Sequence, residues 1–238
     1  MVVFLVNSAK KGHFYGIGVG PGDPELLTLK AARLLGEADV IAAADPGSGT
    51  SIALTIAADH VRGKEILLCP APMTPDRERL RAAWSEGARR ICAQLARGRT
   101  VAFVTLGDPT LYSTCGYLCR RVRTAGYEAE LVPGVPSFCA AAAAVGESLC
   151  EGEEGLLIVP ASNPLLEESL KAPVNRVVMK AGRSVERLKA LLNGTDALEN
   201  AVLVENCGME GERILPLAEA DSAGYFSTVI IRDKNAAD

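Results

Sequence analysis

Gly16-Ile17-Gly18-Val19-Gly20-Pro21-Gly22-Asp23-Pro24-Glu25 is the stretch on which the reading of the fold turns. It stands where an apolar run, residues 14–19, gives way to a helical pattern. The run predicts a strand. Asp23 is a capping residue, Pro24 suits a first helical turn and Glu25 complements the helix dipole. Leu27, Ala31, Leu34 and Leu35 then supply one apolar face, so a helix starting at Asp23 is expected. Glycines behind a strand let the backbone approach a ligand, and the following helix start offers unpaired N–H groups. The spacing excludes two familiar loops. A dinucleotide fingerprint begun at Gly18 and Gly20 meets Asp23 where its third glycine belongs, and one begun at Gly16 and Gly18 meets Pro21. No Gly-Lys-Ser or Gly-Lys-Thr follows, so it is not a P-loop. The structural alternative is a tight turn packed under a helix.

The pattern repeats outward from this loop. Strands are predicted at 39–43, 65–68, 100–105 and 127–132, and helices at 51–61, from 74 to Gly98, at 111–123 and at 137–145. Strands separated by helices imply a mostly parallel sheet covered on both faces. Two further loops follow strands. Thr105-Leu106-Gly107-Asp108-Pro109-Thr110-Leu111-Tyr112-Ser113 reads as a glycine turn with Asp108-Pro109 opening the next helix, and Asp108 as its N-cap. Val132-Pro133-Gly134-Val135-Pro136-Ser137 reads as a chain break that doubles as a domain linker. Three loops at strand ends converge on one carboxyl edge, where open α/β sheets bind ligands. Past residue 147 come strands near 155–159, 174–179, 201–205 and 225–231, with helices near 164–171 and 184–192. This is a second α/β unit with room for antiparallel pairs. The expected organisation is a tail at 1–12, an N-terminal domain at 13–133 and a C-terminal domain at 134–238.

Composition narrows the class. Hydrophobic residues make up 48% and charged residues 23%, as in globular chains. A net charge of -4 offers no field for nucleic acid. No apolar run approaches a membrane span, and the N-terminal apolar stretch lacks the flanks of a secretion signal, so a cytoplasmic protein is expected. The 7 cysteines are scattered without a CxxC, and only 2 histidines occur, which excludes a zinc or iron–sulfur site of its own and points to reduced, packed thiols. Arg120, Arg121 and Arg123, or Lys180 and Arg183, suit an anionic small molecule; for the first cluster the alternative is a solvated helix face.

Five segments together resemble the signatures of the tetrapyrrole (precorrin) methylase family, in order and at suitable spacing. They are VGPGDPELLTLKAARLL from Val19, VTLGDPTLYS from Val104, VPGVPS from Val132, VVMKAGR from Val177 and VLVENCGMEGERI from Val202. The resemblance covers roughly residues 13 to 232. PMTPDRERLRAAW from Pro72, GDPTLYST, GVPSFCAAAA and ENCGMEGERI look like the branch that methylates C20 of precorrin-2 or cobalt-factor II. LGDPT and PGVPS stand where uroporphyrinogen methyltransferases usually carry GGDPF and PGITA.

The resemblance implies two α/β domains with S-adenosylmethionine (SAM) in the cleft between them. It places Pro21, Leu106, Gly107, Asp108, Leu111, Pro136, Ser137, Met179 and Cys207 against that cofactor. Pro136 departs from the small or hydroxyl residues usual there. The methyl of SAM is already activated by its sulfonium, so alignment is the main task. The nucleophile is a ring-bridging carbon of the substrate, from which a proton must leave after transfer. Asp108 and Asp23 are the candidate carboxylates for that step, and Tyr112 a candidate to orient the substrate. Lys180 and Arg183 are matched to the substrate's carboxylates. The resemblance also implies a homodimer and no metal of the protein's own. It leaves open whether the tetrapyrrole carries cobalt. Two alternatives stand beside it: a family methylase acting on another ring carbon, as in uroporphyrinogen III, and a SAM- or tetrapyrrole-binding module without turnover.

Overall fold

The structure, a computed structural model, describes residues 12–233. The expected tail therefore lies, up to residue 11, outside the described residues; Gly12 belongs to the body, its N–H donating to Leu95 O at 3.0 Å. The chain divides into two compact units between Val135 and Pro136.

In the first unit the elements run β1 (His13–Gly18), α1 (Leu29–Glu37), β2 (Val40–Asp45), α2 (Ile52–Ile56), β3 (Glu65–Pro70), α3 (Arg77–Leu95), β4 (Val101–Thr105), α4 (Cys115–Thr124) and β5 (Glu128–Val132). The five strands form one sheet in the order β3-β2-β4-β1-β5, and every pairing is parallel. Successive side chains point to opposite faces. Phe14, Val40, Ala42, Val101 and Phe103 therefore pack with Ile91, Leu95, Leu118 and Val122 on one side. Ile17, Ile41, Ala43, Ala102 and Val104 pack with Leu34, Leu35 and Ile56 on the other. Burial on both faces explains why these strands read as continuous apolar runs rather than as alternating ones.

The second unit opens with α5 (Ser137–Val145) and continues through β6 (Leu156–Pro160), α6 (Leu166–Leu170), β7 (Asn175–Met179), α7 (Val185–Leu192), α8 (Asp196–Glu199), β8 (Ala201–Glu205), β9 (Arg213–Pro216) and β10 (Ser227–Ile231). Its sheet order is β6-β7-β10-β8-β9. Only β6 and β7 run parallel; β10 is antiparallel to both β7 and β8, and β9 is antiparallel to β8. Val178, Leu203, Val229 and Ile231 face Leu166, Leu188 and Leu192, while Val204 and Ile230 face Ala141 and Ala142 of α5.

Four readings of the sequence need correction. The helix expected from Asp23 is two elements, because Thr28 caps a new start with its side chain accepting from Ala31 N at 3.1 Å. Asp23 caps only the short 3-10 turn Pro24–Leu26 before it. The helix expected over 51–61 breaks after Ile56 into a 3-10 turn, Ala58–His60. The helix expected from Leu111 starts at Cys115, so Asp108 is not its N-cap. Tyr112, at φ 47, lies in the left-handed region and interrupts any helical run through it. The fourth is β9, which the sequence reading passed over.

Candidate functional site

Three loops leave the carboxyl ends of β4, β1 and β5, which are neighbours in the first sheet. They are joined through backbone. Gly107 N–H donates to Gly20 O at 2.7 Å and Gly20 N–H to Gly107 O at 3.3 Å. Gly18 and Gly134 crowd the same Gly107 carbonyl: a Cβ on Gly18 would lie 2.5 Å from its oxygen, and one on Gly134 2.3 Å. Any side chain at either position would force these loops apart. Gly107 is itself at φ 67, a conformation glycine adopts freely.

Asp108 completes the join. It is buried, and its Oδ1 accepts from Thr110 N at 2.8 Å and Thr110 Oγ1 at 2.5 Å. Its Oδ2 accepts from Gly134 N at 3.1 Å, across to the third loop. A carboxylate offers about four lone-pair sites. With three in use, one remains on Oδ2, enough for a single hydroxyl of a ligand such as a ribose. That is the fit the first unit offers to SAM: glycine backbone that admits close approach and one residual acceptor.

The other predicted residues of this unit are distributed around that edge. Pro21 is buried in the first loop, and Leu106 and Leu111 are half-buried in the second. Leu106 packs on the core beside Ile17 and Val104. Tyr112 is exposed on the same loop. Thr105 Oγ1 and Ser113 Oγ lie 2.8 Å apart, tying that loop's two ends together. Asp23 is occupied with Glu25 N at 2.8 Å.

In the second unit β7 and β8 both pair antiparallel with β10, so they run the same way and end on one edge. Met179 pairs with Thr228, and Glu205 with Ser227. Met179, Lys180, Asn206 and Cys207 are thereby gathered around the start of β10. Pro136 and Ser137 begin α5, whose Ala141 and Ala142 pack in one cluster with Val204, Ile230 and Cys207. Burial, with Glu212 beside it, pushes the Cys207 thiol up to about 11. At neutral pH this favours the uncharged thiol. Lys180 and Arg183 are both exposed, and Lys180 Nζ lies 5.8 Å from the centroid of the Tyr225 ring.

Arg120, Arg121 and Arg123 are engaged within the first unit. Arg120 and Arg121 lie over Tyr117 and Trp84, at 5.0 and 5.6 Å, and these rings stack on each other at 3.8 Å. Arg123 Nη2 donates to Ala129 O at 2.6 Å. They belong to the layer of α3 and α4. Among the described residues no group of three or more His, Cys, Asp and Glu side chains is placed to hold a metal ion. None of the described helices is long and apolar enough to cross a membrane.

Missed by the sequence reading were Glu205 and its partners. Glu205 Oε1 accepts from Gly224 N at 2.5 Å, and Oε2 from Arg213 Nε at 2.7 Å. The Glu205 to Arg213 spacing carries meaning only once β9 is known to pair back on β8.

A five-stranded parallel sheet in this order, followed by a five-stranded mixed sheet, defines a two-unit α/β protein distinct from the 3-2-1-4-5-6 dinucleotide-binding fold. The chain belongs to the Tetrapyrrole (Corrin/Porphyrin) Methylases, whose family model matches residues 13–221. The Cobalt-precorrin-2 C(20)-methyltransferase of Salmonella typhimurium is 33% identical, over 92% of this chain and 96% of that protein. The Precorrin-2 C(20)-methyltransferase of a Sinorhizobium species is 31% identical, over 92% and 95%. Cobalamin biosynthesis protein CobIJ of Mycobacterium tuberculosis is 37% identical over 93% of this chain, which spans only 46% of that relative's length. Among solved structures, uroporphyrin-III C-methyl transferase from Thermus thermophilus, complexed with S-adenyl homocysteine, is 26% identical with a TM-score of 0.71, covering 93% of this chain and 92% of that one.

Proposed function

We propose that the chain is a SAM-dependent methyltransferase that methylates C20 of precorrin-2 or cobalt-factor II in cobalamin biosynthesis. The observation that carries this is the identity to two C20-methyltransferases along almost the full length of both partners. The geometry is in keeping with it: backbone loops joined at a carboxyl edge suit alignment of two reactants, and alignment is what transfer from an already activated methyl needs.

In this reading Pro21, Leu106, Gly107, Asp108 and Leu111 of the first unit, and Pro136, Ser137, Met179 and Cys207 of the second, hold SAM, which supplies the methyl group. Asp108 serves through its remaining acceptor site and through the loop it holds, rather than as a free base. Asp23 and Tyr112 remain the nearby groups for proton removal and substrate orientation. Lys180 and Arg183 take substrate carboxylates. The protein works as a cytoplasmic homodimer, a state that light scattering on purified protein measures directly.

The test is anaerobic incubation with SAM labelled in its methyl group and, separately, precorrin-2 and cobalt-factor II. Label at C20 of one substrate is the expected result, and it assigns the metal state. Label on a different carbon would replace the C20 assignment. SAM binding without transfer to any reduced tetrapyrrole would favour a non-catalytic module.

A further inference from the structure

The loop at 222–226, which leads into β10, is held from three sides. Glu205 receives its Gly224 N–H, and Arg213 lies 2.5 Å from Glu205 Oε2 through Nη2 while donating from the same nitrogen to Ser222 O at 2.8 Å. Asn206 N–H donates to Phe226 O at 2.9 Å, and Ala181 N–H to Ser227 O at 3.0 Å. Gly182 presses so closely that a Cβ there would lie 1.8 Å from Gly224 O. The loops after β7 and β8 thus close on this one from either flank.

Core stability does not account for the device. Glu205 is only 7% exposed, but the Arg213 side chain is 51% exposed, and an ion pair open to solvent on one side adds little to stability. What the loop carries is Tyr225, 42% exposed, with the Lys180 ammonium near its ring and Phe226 packed edge-on at 5.2 Å. Lys180 is itself held at φ 57, a conformation that costs energy for any residue with a side chain.

We propose that Tyr225 and Lys180 form a recognition wall for the tetrapyrrole, and that Glu205 and Arg213 are the positioning clamp that sets it. The Tyr225 ring meets the flat face of a pyrrole unit, and Lys180 pairs with a carboxylate arm beside it. The inference rests on the methyltransferase reading and adds residues to it.

Steady-state kinetics on Tyr225→Leu, Tyr225→Phe and Glu205→Gln test it, with S-adenosylhomocysteine (SAH) affinity measured calorimetrically on the same proteins. Tyr225→Leu should raise the tetrapyrrole KM about tenfold while SAH affinity stays within about twofold, the signature of lost substrate binding. Tyr225→Phe, which keeps the ring, should restore KM to within about twofold of wild type. Glu205→Gln should raise KM in the same direction. Gly182→Ala, which disturbs the loop without touching the ion pair, should do so too. An unchanged KM in Tyr225→Leu, with wild type turning over, overturns the wall alone. A fall in melting temperature of Glu205→Gln with no change in KM overturns the clamp. A wild type that methylates no tetrapyrrole overturns the underlying reading, and the wall with it.

Discussion

The two units meet the same mechanical demand with different means. In the first, a carboxylate just past a central strand, Asp108, accepts the N–H of Gly134 in a neighbouring loop at 3.1 Å. In the second, Glu205 at the end of β8 accepts the N–H of Gly224 at 2.5 Å. Each acid fastens a glycine loop across the carboxyl edge of its sheet. The surroundings differ. Around Asp108 all three loops come from parallel strands whose backbones touch at glycines, so no second side chain is needed beyond Thr110. Around Glu205 the loops come from antiparallel strands, the hairpin partner β9 brings Arg213 alongside, and the acid is neutralised by a cation. Close backbone approach is common to both edges, since a Cβ on Gly182 would lie 1.8 Å from Gly224 O, and only the second adds an ion pair.

That contrast is broken or sharpened most strongly by Gly134→Ala. Its Cβ would meet Gly107 O at 2.3 Å and Gly18 C at 2.7 Å, both backbone atoms that cannot rotate away. A stability loss of roughly 1–3 kcal/mol is expected, with SAH binding weaker by about tenfold or more. Thermal melts and calorimetry read both. An unaltered affinity would mean that the three loops do not need their contact, and the first edge would be no more fixed than the second.

Asp108→Asn comes next. The amide keeps the shape but turns an N–H toward either Thr110 N or Gly134 N, so one buried donor loses its acceptor. The cost is about 1–3 kcal/mol in stability, with SAH affinity expected to fall. Glu205→Gln should leave SAH affinity in place, since its effect falls on the tetrapyrrole. If both substitutions moved the same ligand by the same factor, Asp108 and Glu205 would not have separate tasks.

How far the site was legible follows from the same contrast. The glycine loops were visible because their constraint is written in residue identity: Gly107 and Gly134 follow predicted strands, and Gly18 lies at the end of one. The α5 boundaries were visible because Pro136 and Gly146 bracket an apolar run, and Gly146 at φ 82 supplies the left-handed stop. The start of α4 was misread because Asp108-Pro109 carries the text of a helix start, whereas the carboxylate is engaged in a turn and a cross-loop bond. The start of α1 was misread because Thr28, a capping residue, lies inside what looked like one periodic face. The Glu205–Arg213 pair was illegible for a different reason. Arg213–Pro216 alternates weakly and ends in proline, so nothing local announces β9, and without β9 the pair is eight residues apart along the chain with no reason to meet.

The smallest expected effect concerns Cys207, the one thiol the family resemblance places at the site. Its thiol is raised to about 11 mainly by burial, so at neutral pH it is an uncharged group packed beside Ala141, Ala142, Val204 and Ile230. A thiol raised in the folded state is neutral on both sides of the unfolding equilibrium at low pH, and the fold loses ground only as pH climbs past the ordinary thiol range. Cys207→Ala should therefore bind SAH within about twofold of wild type at pH 7, as expected of a small packing group. Its stability relative to wild type should be flat below pH 9 and should improve between pH 9 and about 11, where the wild type's thiol ionises when unfolded but is kept protonated by the fold. Chemical denaturation across that range supplies the curve. A gap that instead opens below pH 8 would mean that Cys207 is a thiolate in the folded protein. The second edge would then hold a reactive anion beside its ion pair, a feature with no counterpart around Asp108.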